Sequence, residues 1–184
     1  MKMSRVDNSK FNATVGFDLG RDRWVFVVWY LVKVVIFLSP LPWPSTFKVA
    51  LLRMFGAQVG EKCYIKPRVN IHFPWRIKIG RNVWIGEEVF ICNFADVAIG
   101  NNCCISQRAF ICSGNHNYKT PDMAYLNKPI EIQDGCWVGA MAFVGPGAVM
   151  ETDSVLSAGS FVFTRTNAAL VYSGNPATPK RERW

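Results

Sequence analysis

Histidine is scarce in this chain: only His72 and His116 occur among 184 residues. Six cysteines stand at positions 63, 92, 103, 104, 112 and 136, and none forms a Cys-x-x-Cys pair. These two absences exclude a zinc ribbon and a compact disulfide scaffold. Acidic residues are also few, 13 against 21 lysines and arginines, leaving a formal net charge of +8. Such a balance admits nucleic acid, an anionic membrane surface or a phosphorylated ligand as partner. No run of lysine and arginine interleaved with aromatics marks a nucleic-acid groove, so no nucleic-acid partner is expected. Charged residues make up only 18% of the chain and hydrophobic ones 50%. Enough apolar surface is therefore present to offset the entropy of ordering, and the length suits one domain with a sizeable core.

No hydrophobic run reaches the length of about 20 residues that a membrane-spanning helix needs. The strongest, Trp24 to Leu38, is interrupted by Lys33 and stops before Pro40, Pro42 and Pro44. Asp18, Arg21, Asp22 and Arg23 precede it and no A-x-A cleavage site follows, a poor match to a secretory signal. A cytoplasmic location is expected. Two readings of the segment stay open: an arm packed on its own domain or a neighbouring subunit, or a segment lying in the bilayer interface as a peripheral membrane contact. Thr46 to Phe55 reads as a short amphipathic helix ending at Gly56, a good C-cap residue.

From Val59 onward the chain repeats in steps of six. Aliphatic residues fall at Val59, Ile65, Ile71, Ile79, Ile85, Ile91, Ile99, Ile105 and Ile111, and the register resumes at Ile132, Val138, Val144, Met150, Leu156 and Val162. Small residues often follow directly, as at Gly60, Gly80, Gly86, Gly100, Ser106, Gly139, Gly145 and Ser157. Compact ones recur four places after the aliphatic, as at Cys63, Ala109, Ala142 and Ser160. This period matches neither the 3.6 of a helix nor the alternation of a flat strand. It matches a triangular solenoid, in which three hexapeptides make a coil of about 18 residues and parallel strands stack about 4.8 Å apart. Aliphatic side chains then point inward, and glycine is expected where the backbone turns a corner. Cys63, Cys103 and Cys136, at the compact position, and Cys92 and Cys112, after an aliphatic, read as small core residues kept reduced.

The repeats, with IGEEVFICNFADVAIGNNCCIS, the Asn-His loop and SAGSFVFTRTNAALVYSGNPATPKRER, resemble the hexapeptide-repeat acyltransferases. LLRMFGAQVG and FPWRIKIG resemble in particular their colanic-acid-biosynthesis acetyltransferase branch. The resemblance implies an all-β fold, a left-handed parallel β-helix, against the usual hand of parallel crossovers. It also implies acetyl-CoA as acyl donor, no metal, and a homotrimer with active sites in clefts between neighbouring prisms. The expected layout is an N-terminal arm over 1–56, a β-helix over 57–170 with an extruded loop near 113–128, and a basic C-terminal tail over 171–184.

Two breaks interrupt the repeat, and solenoid insertions commonly mark the functional face. One lies at Asn93 to Ala98; the larger, SGNHNYKTPDMAYLNK, carries His116. A neutral imidazole can take a proton from a hydroxyl as that oxygen attacks a thioester carbonyl, and little else here can do so near neutral pH. The resemblance likewise makes His116 the general base, with direct attack and no acyl-enzyme. His72 matches no catalytic position and reads as structural. Asn93 matches an asparagine that holds the acceptor in sugar acetyltransferases, its alternative being a bond to turn backbone. Asp96 is a second substrate-binding candidate, able to accept from substrate or to orient His116.

For the donor, the resemblance places Trp137, Gly139, Ala140, Ala158 and Gly159 along the pantetheine. It places Lys180 and Arg181 against the coenzyme A phosphates. A backbone N–H must face the thioester oxygen, which turns anionic in the transition state. Where the family reads Thr-Lys, this chain has Phe163 and Thr164 with Arg165 one place later. Arg165 either replaces that lysine or one phosphate contact is missing. The leading expectation is an O-acetyltransferase acting on a sugar hydroxyl in exopolysaccharide or surface-glycan assembly. The same chemistry on another small acceptor, and a catalytically silent solenoid, are the alternatives. A zinc hydratase of this fold needs three histidines, and the chain has two.

Overall fold

In the computed structural model residues 5–184 are described; the first four residues of the expected arm lie outside them. Short strands alternate with tight turns in the order the six-residue period demands. The first coil is β1 (Gln58–Val59), β2 (Tyr64–Ile65) and β3 (Asn70–Ile71), and the second is β4 (Ile77–Ile79), β5 (Trp84–Ile85) and β6 (Phe90–Cys92). The third is β7 (Val97–Ile99), β8 (Cys104–Ile105) and β9 (Phe110–Cys112), and the fourth β10 (Ile130–Ile132), β11 (Trp137–Val138) and β12 (Phe143–Val144). The fifth is β13 (Val149–Met150), β14 (Val155–Leu156) and β15 (Phe161–Val162), followed by β16 (Leu170–Gly174) and β17 (Ala177–Glu182).

Corresponding strands pair in parallel as three faces of a prism: β1-β4-β7-β10-β13, then β2-β5-β8-β11-β14-β16-β17, then β3-β6-β9-β12-β15. We call these the first, second and third faces. Every aliphatic of the six-residue register is buried along the axis, each on its equivalent in the next coil. Cys63, Cys103 and Cys136 are buried at the corner between the first and second faces. Each thiol donates 3.1 Å to a carbonyl of the next coil, Gly80, Gln133 and Glu151 in turn. Burial pushes the Cys103 thiol up to about 12.

One expectation about the repeat needs correction. The coil of 18 residues holds only after the loop, as between Cys136 and Ser154; earlier equivalents such as Asn82 and Asn102 lie 20 apart, and Asn101 and Asp134, across the loop, 33 apart. All the extra residues enter at one corner, between the third and first faces, where a short 3-10 turn (Pro74–Arg76), Asn93–Asp96 and the long loop lie in successive coils. The glycines stand at the corners as expected, where a larger side chain would clash with the next coil. A Cβ on Gly60, Gly80 or Gly139 would meet the next coil's backbone at 2.5 to 2.7 Å. The left-handed turn residue comes later in the corner and is mostly not glycine, as at Lys62, Arg68, Asn82, Glu88, Asn102, Arg108 and Asp153.

Residues 23–54 close the open end of the prism. Helix α1 (Arg23–Val32) continues as a π-helical turn (Lys33–Phe37), and α2 (Ser45–Met54) matches the expected amphipathic helix, ending before Gly56 at φ +96°. Of the two readings of Trp24 to Leu38, packing on its own domain describes one face, where Trp29, Lys33 and Phe37 are buried. Bonds between coils run both ways, as Gly60 and Tyr64 N–H donate forward to Ile79 and Val83 and Asn82 and Glu88 N–H donate back to Glu61 and Pro67, so the first coil's groups that face its open end have no coil to pair with. The Ile65 N–H donates instead to Ser45 Oγ at 3.0 Å, and carbonyls on each face are left bare. Side-chain donors cover one pair on each face: Arg53 to Val59 and Gly60, Lys48 to Ile65 and Lys66, and Trp29 Nε1 to Ile71 and His72. The other end differs from the expected tail over 171–184. β16 pairs with β14 and β17 folds back antiparallel on β16, because Val171 and Tyr172 continue the second face and Gly174 to Pro176 provide the turn.

Candidate active site

The long corner is built from the inside out. Asn93 is fully buried; its Oδ1 accepts from the Phe73 N–H at 3.0 Å and its Nδ2 donates to the Phe73 carbonyl at 2.7 Å. Ser113, one coil on, is buried likewise, its Oγ 2.8 Å from both the N–H and the carbonyl of Ala95. These two polar side chains satisfy the backbone that the extra residues force off the ladder. Asn93 is thus corrected from an acceptor-binding residue to a structural one: both ends of its amide are used within the fold.

Beyond Ser113 the loop turns back on itself. His116 and Tyr125 form an antiparallel bridge, and Leu126 N–H donates to Asn115 O at 2.8 Å. Nδ1 of His116 lies 2.6 Å from the Met123 carbonyl. A carbonyl can only accept, so Nδ1 carries the proton and Nε2 is left with its lone pair. The ring is stacked on Tyr125 with centroids 5.0 Å apart and met edge-on by Phe11 at 5.3 Å. The N-terminal arm holds this arrangement from outside: Asp7 N–H donates to Pro121 O at 2.8 Å, and Phe17 packs on Phe73, Phe94 and Tyr125. Sequence reasoning missed Met123, Tyr125, Phe11 and Phe17; the available signal was aromatic residues in stretches otherwise too polar to need them.

Asp96 does not orient His116, a role the Met123 carbonyl has. Its exposed carboxylate is 4.0 Å from Arg76 and lines a pocket of about 360 Å³ on the first face, with Trp75, Arg76, Lys78 and Glu131. His72 sits against Phe73, Phe90 and Phe94, and burial, with Lys33's charge adding to it, lowers its pKa to about 4.

The donor candidates lie elsewhere. Trp137 stands exposed on the second face, its Nε1 donating to Ser106 Oγ at 2.8 Å. Ala140 and Gly159 are joined by an N–H to carbonyl bond of 2.9 Å at the corner between the second and third faces, with Ala158 exposed beside them. Gly159, at φ +67°, has open space where a Cβ would be. Gly139 is buried and its missing side chain leaves room for Ala158 backbone, so its smallness serves stacking, contrary to the expectation of ligand approach. Lys180 and Arg181 are exposed on β17. Thr164 and Arg165 lie at the corner between the third and first faces, with Arg165 paired to Glu151 at 2.8 Å. Within one chain the third face separates most of the donor candidates from His116.

A prism of stacked six-residue repeats defines a hexapeptide-repeat protein. A family profile for the hexapeptide repeat of succinyl-transferase matches residues 129–164. The chain is 33% identical over 177 residues to the Escherichia coli K12 protein named as a colanic acid biosynthesis acetyltransferase, WcaF, covering 96% of this chain and 97% of that one. It is 26% identical over 140 residues to a galactoside O-acetyltransferase of Lactococcus lactis, 73% of this chain and 67% of that one. Its fold matches a Vibrio cholerae hexapeptide-repeat acetyltransferase solved with acetyl coenzyme A (TM-score 0.79, 22% identity, 88% of each chain). It also matches a galactoside acetyltransferase in complex with coenzyme A (TM-score 0.78, 23% identity, 88% of this chain and 82% of that one). The chain belongs to the hexapeptide-repeat acetyltransferases, and its prism is a left-handed parallel β-helix.

Proposed function

We propose that this protein transfers acetyl from acetyl-CoA to a sugar hydroxyl during assembly of a surface glycan, with His116 as general base. The observation carrying this reading is the Nδ1 bond to the Met123 carbonyl, which leaves Nε2 with its lone pair on a half-buried ring. In the reaction Nε2 takes the hydroxyl proton while the oxygen attacks the thioester carbonyl. The tetrahedral intermediate expels the coenzyme A sulfur, which recovers the proton from the imidazolium, and an ester and a thiol result. The pocket beside Asp96 and Arg76 offers the charged and amide groups suited to a polyol acceptor.

A homotrimer belongs to the same reading. One chain carries His116 and most of its donor candidates on opposite edges of the third face, so a neighbour's donor corner must meet this chain's His116 corner to complete a site. Trp137, Ala140, Ala158 and Gly159 line the pantetheine, and Lys180 and Arg181 pair with the phosphates. Arg165, held by Glu151, takes the phosphate contact of the missing lysine. Cytoplasmic location and peripheral contact with the inner membrane face complete the reading.

Calorimetric titration with acetyl-CoA tests it directly: binding of micromolar strength at one site per chain is expected, and none at millimolar ligand sinks it in favour of a silent solenoid. His116→Ala should keep that binding while thiol release with a sugar acceptor falls by about two to four orders of magnitude. Undiminished turnover would assign the base elsewhere.

A further inference from the structure

The helical stretch from Trp24 to Phe37 has its polarity turned inside out. Its one charged side chain, Lys33, faces the prism and is 5% exposed, beside Trp29 and Phe37 at 0%. Its outer surface is apolar along its whole length: Trp24 (66% exposed), Val27, Val28, Tyr30, Leu31 (60%), Val34 and Val35 (61%), continued by Leu41 after the helix ends. Among the described residues no helix is long and apolar enough to cross a membrane.

We propose that this outer face is a lipid-docking surface that lies flat in the interface of an anionic membrane. Four observations converge on lipid as the occupant. From Arg23 to Phe37 the stretch is about 22 Å long, at about 1.5 Å per residue, against the roughly 30 Å of a hydrocarbon core, so it fits along the interface and not across it. The face offers no charge and only the Tyr30 hydroxyl and the Trp24 indole N–H as polar side-chain groups, so a protein partner finds little to fix its register. Trp24 and Tyr30 are the ring types that settle at headgroup depth. Arg21 and Arg23, exposed at the start of the helix, are offset by the equally exposed Asp18 and Asp22, so it is the chain's net charge of +8 that complements anionic headgroups, with the two arginines as its nearest contacts.

The helix is also tied to the candidate base. Phe26 packs on Phe73, Phe73 on Phe94, Phe94 on Tyr125 and Tyr125 on His116. Docking through α1 therefore holds the His116 corner near the membrane, where an acceptor carried on a lipid is presented. That last step rests on the glycan reading; the docking itself does not.

Flotation of the full chain with vesicles of phosphatidylglycerol and phosphatidylcholine in equal parts, and of phosphatidylcholine alone, tests the surface. The protein should float with the anionic vesicles, less with the neutral ones, and less as salt rises. L31E/V35E, at exposed positions, should cut anionic-vesicle binding by about tenfold or more. R21Q/R23Q, outside the core, should cut it by a smaller factor and flatten its salt dependence. Protein that stays at the bottom of the gradient with anionic vesicles overturns the proposal, as does binding that neither variant changes. If the protein does not float and L31E/V35E lowers its oligomeric mass, the face joins copies of the chain and the lipid assignment is wrong. Acetyl-CoA titrated in parallel separates the two readings: floating without acetyl-CoA binding sinks acyl transfer and leaves docking standing.

Discussion

The coils before and after the extruded loop share one core and differ at one corner. In the first three, extra residues at the corner between the third and first faces are plugged by aromatic rings and braced by buried polar side chains. In the last two the same corner is a short turn, and the surfaces keep Trp137, Ala158 and Gly159 accessible. Inward-facing aliphatics are indifferent to what the corners do, so the repeat can hold its stacking constant while one corner is rebuilt. The early corner holds the candidate base, and the late coils hold most of the surface proposed for the acyl donor.

Breaking the brace on the early side should have the largest effect on stability. Asn93→Ala strands both the N–H and the carbonyl of Phe73 in a buried place, at about 1–3 kcal/mol each. Chemical denaturation should show this loss; a change within error would mean that water replaces the amide. On the late side, Gly139→Ala forces a methyl to 2.5 Å from Ala158 N, an overpacking worth about 1–3 kcal/mol or more. Gly159→Ala meets no atom and bears only a left-handed φ, about 1 kcal/mol. If the two glycine variants melt alike, the distinction between stacking and turn glycines is wrong.

The arm sharpens the comparison through catalysis. Phe11→Ala removes one ring contact from His116, worth about 0.5–1.5 kcal/mol, so kcat should fall up to about tenfold with the KM for acetyl-CoA unchanged. Phe11→Tyr should restore it. A matched rise in KM would instead point to a disturbed binding surface. The smallest effect is in acid. Because the folded protein holds His72 at about 4, below its usual 6.5, His72 favours the fold fully above pH 6.5, and that contribution is lost as pH falls from about 6.5 towards 4. Replacing His72 by Gln should flatten the pH dependence of denaturation across that window.

The prism was readable from Val59 to Val162 because inward positions tolerate only apolar side chains, and the six-residue register of isoleucine and valine records that constraint directly. The extruded loop that carries His116 was readable because it interrupts a register that nothing else interrupts so widely. Asn93 was misread, since a polar residue that feeds backbone and one that feeds a substrate look the same in sequence. Gly139 was misread for a related reason: smallness records a close neighbour and not which neighbour. The Met123 carbonyl and the Phe11 contact could not be read at all, one being backbone and the other lying more than a hundred positions away from its partner.

The side-chain donors on the first coil carry a consequence for how such a molecule can change length. Because the first coil is closed by the side chains of Trp29, Lys48 and Arg53 and the last by the antiparallel strand β17, the two ends of the prism are chemically different, and their lids are not interchangeable. A coil added before Gln58 would bury Lys48, Arg53 and Trp29 against backbone that no longer needs them. One added between Ile132 and Met150 would leave both lids seated. Growth by duplication is therefore open in the middle of this solenoid and closed at its ends.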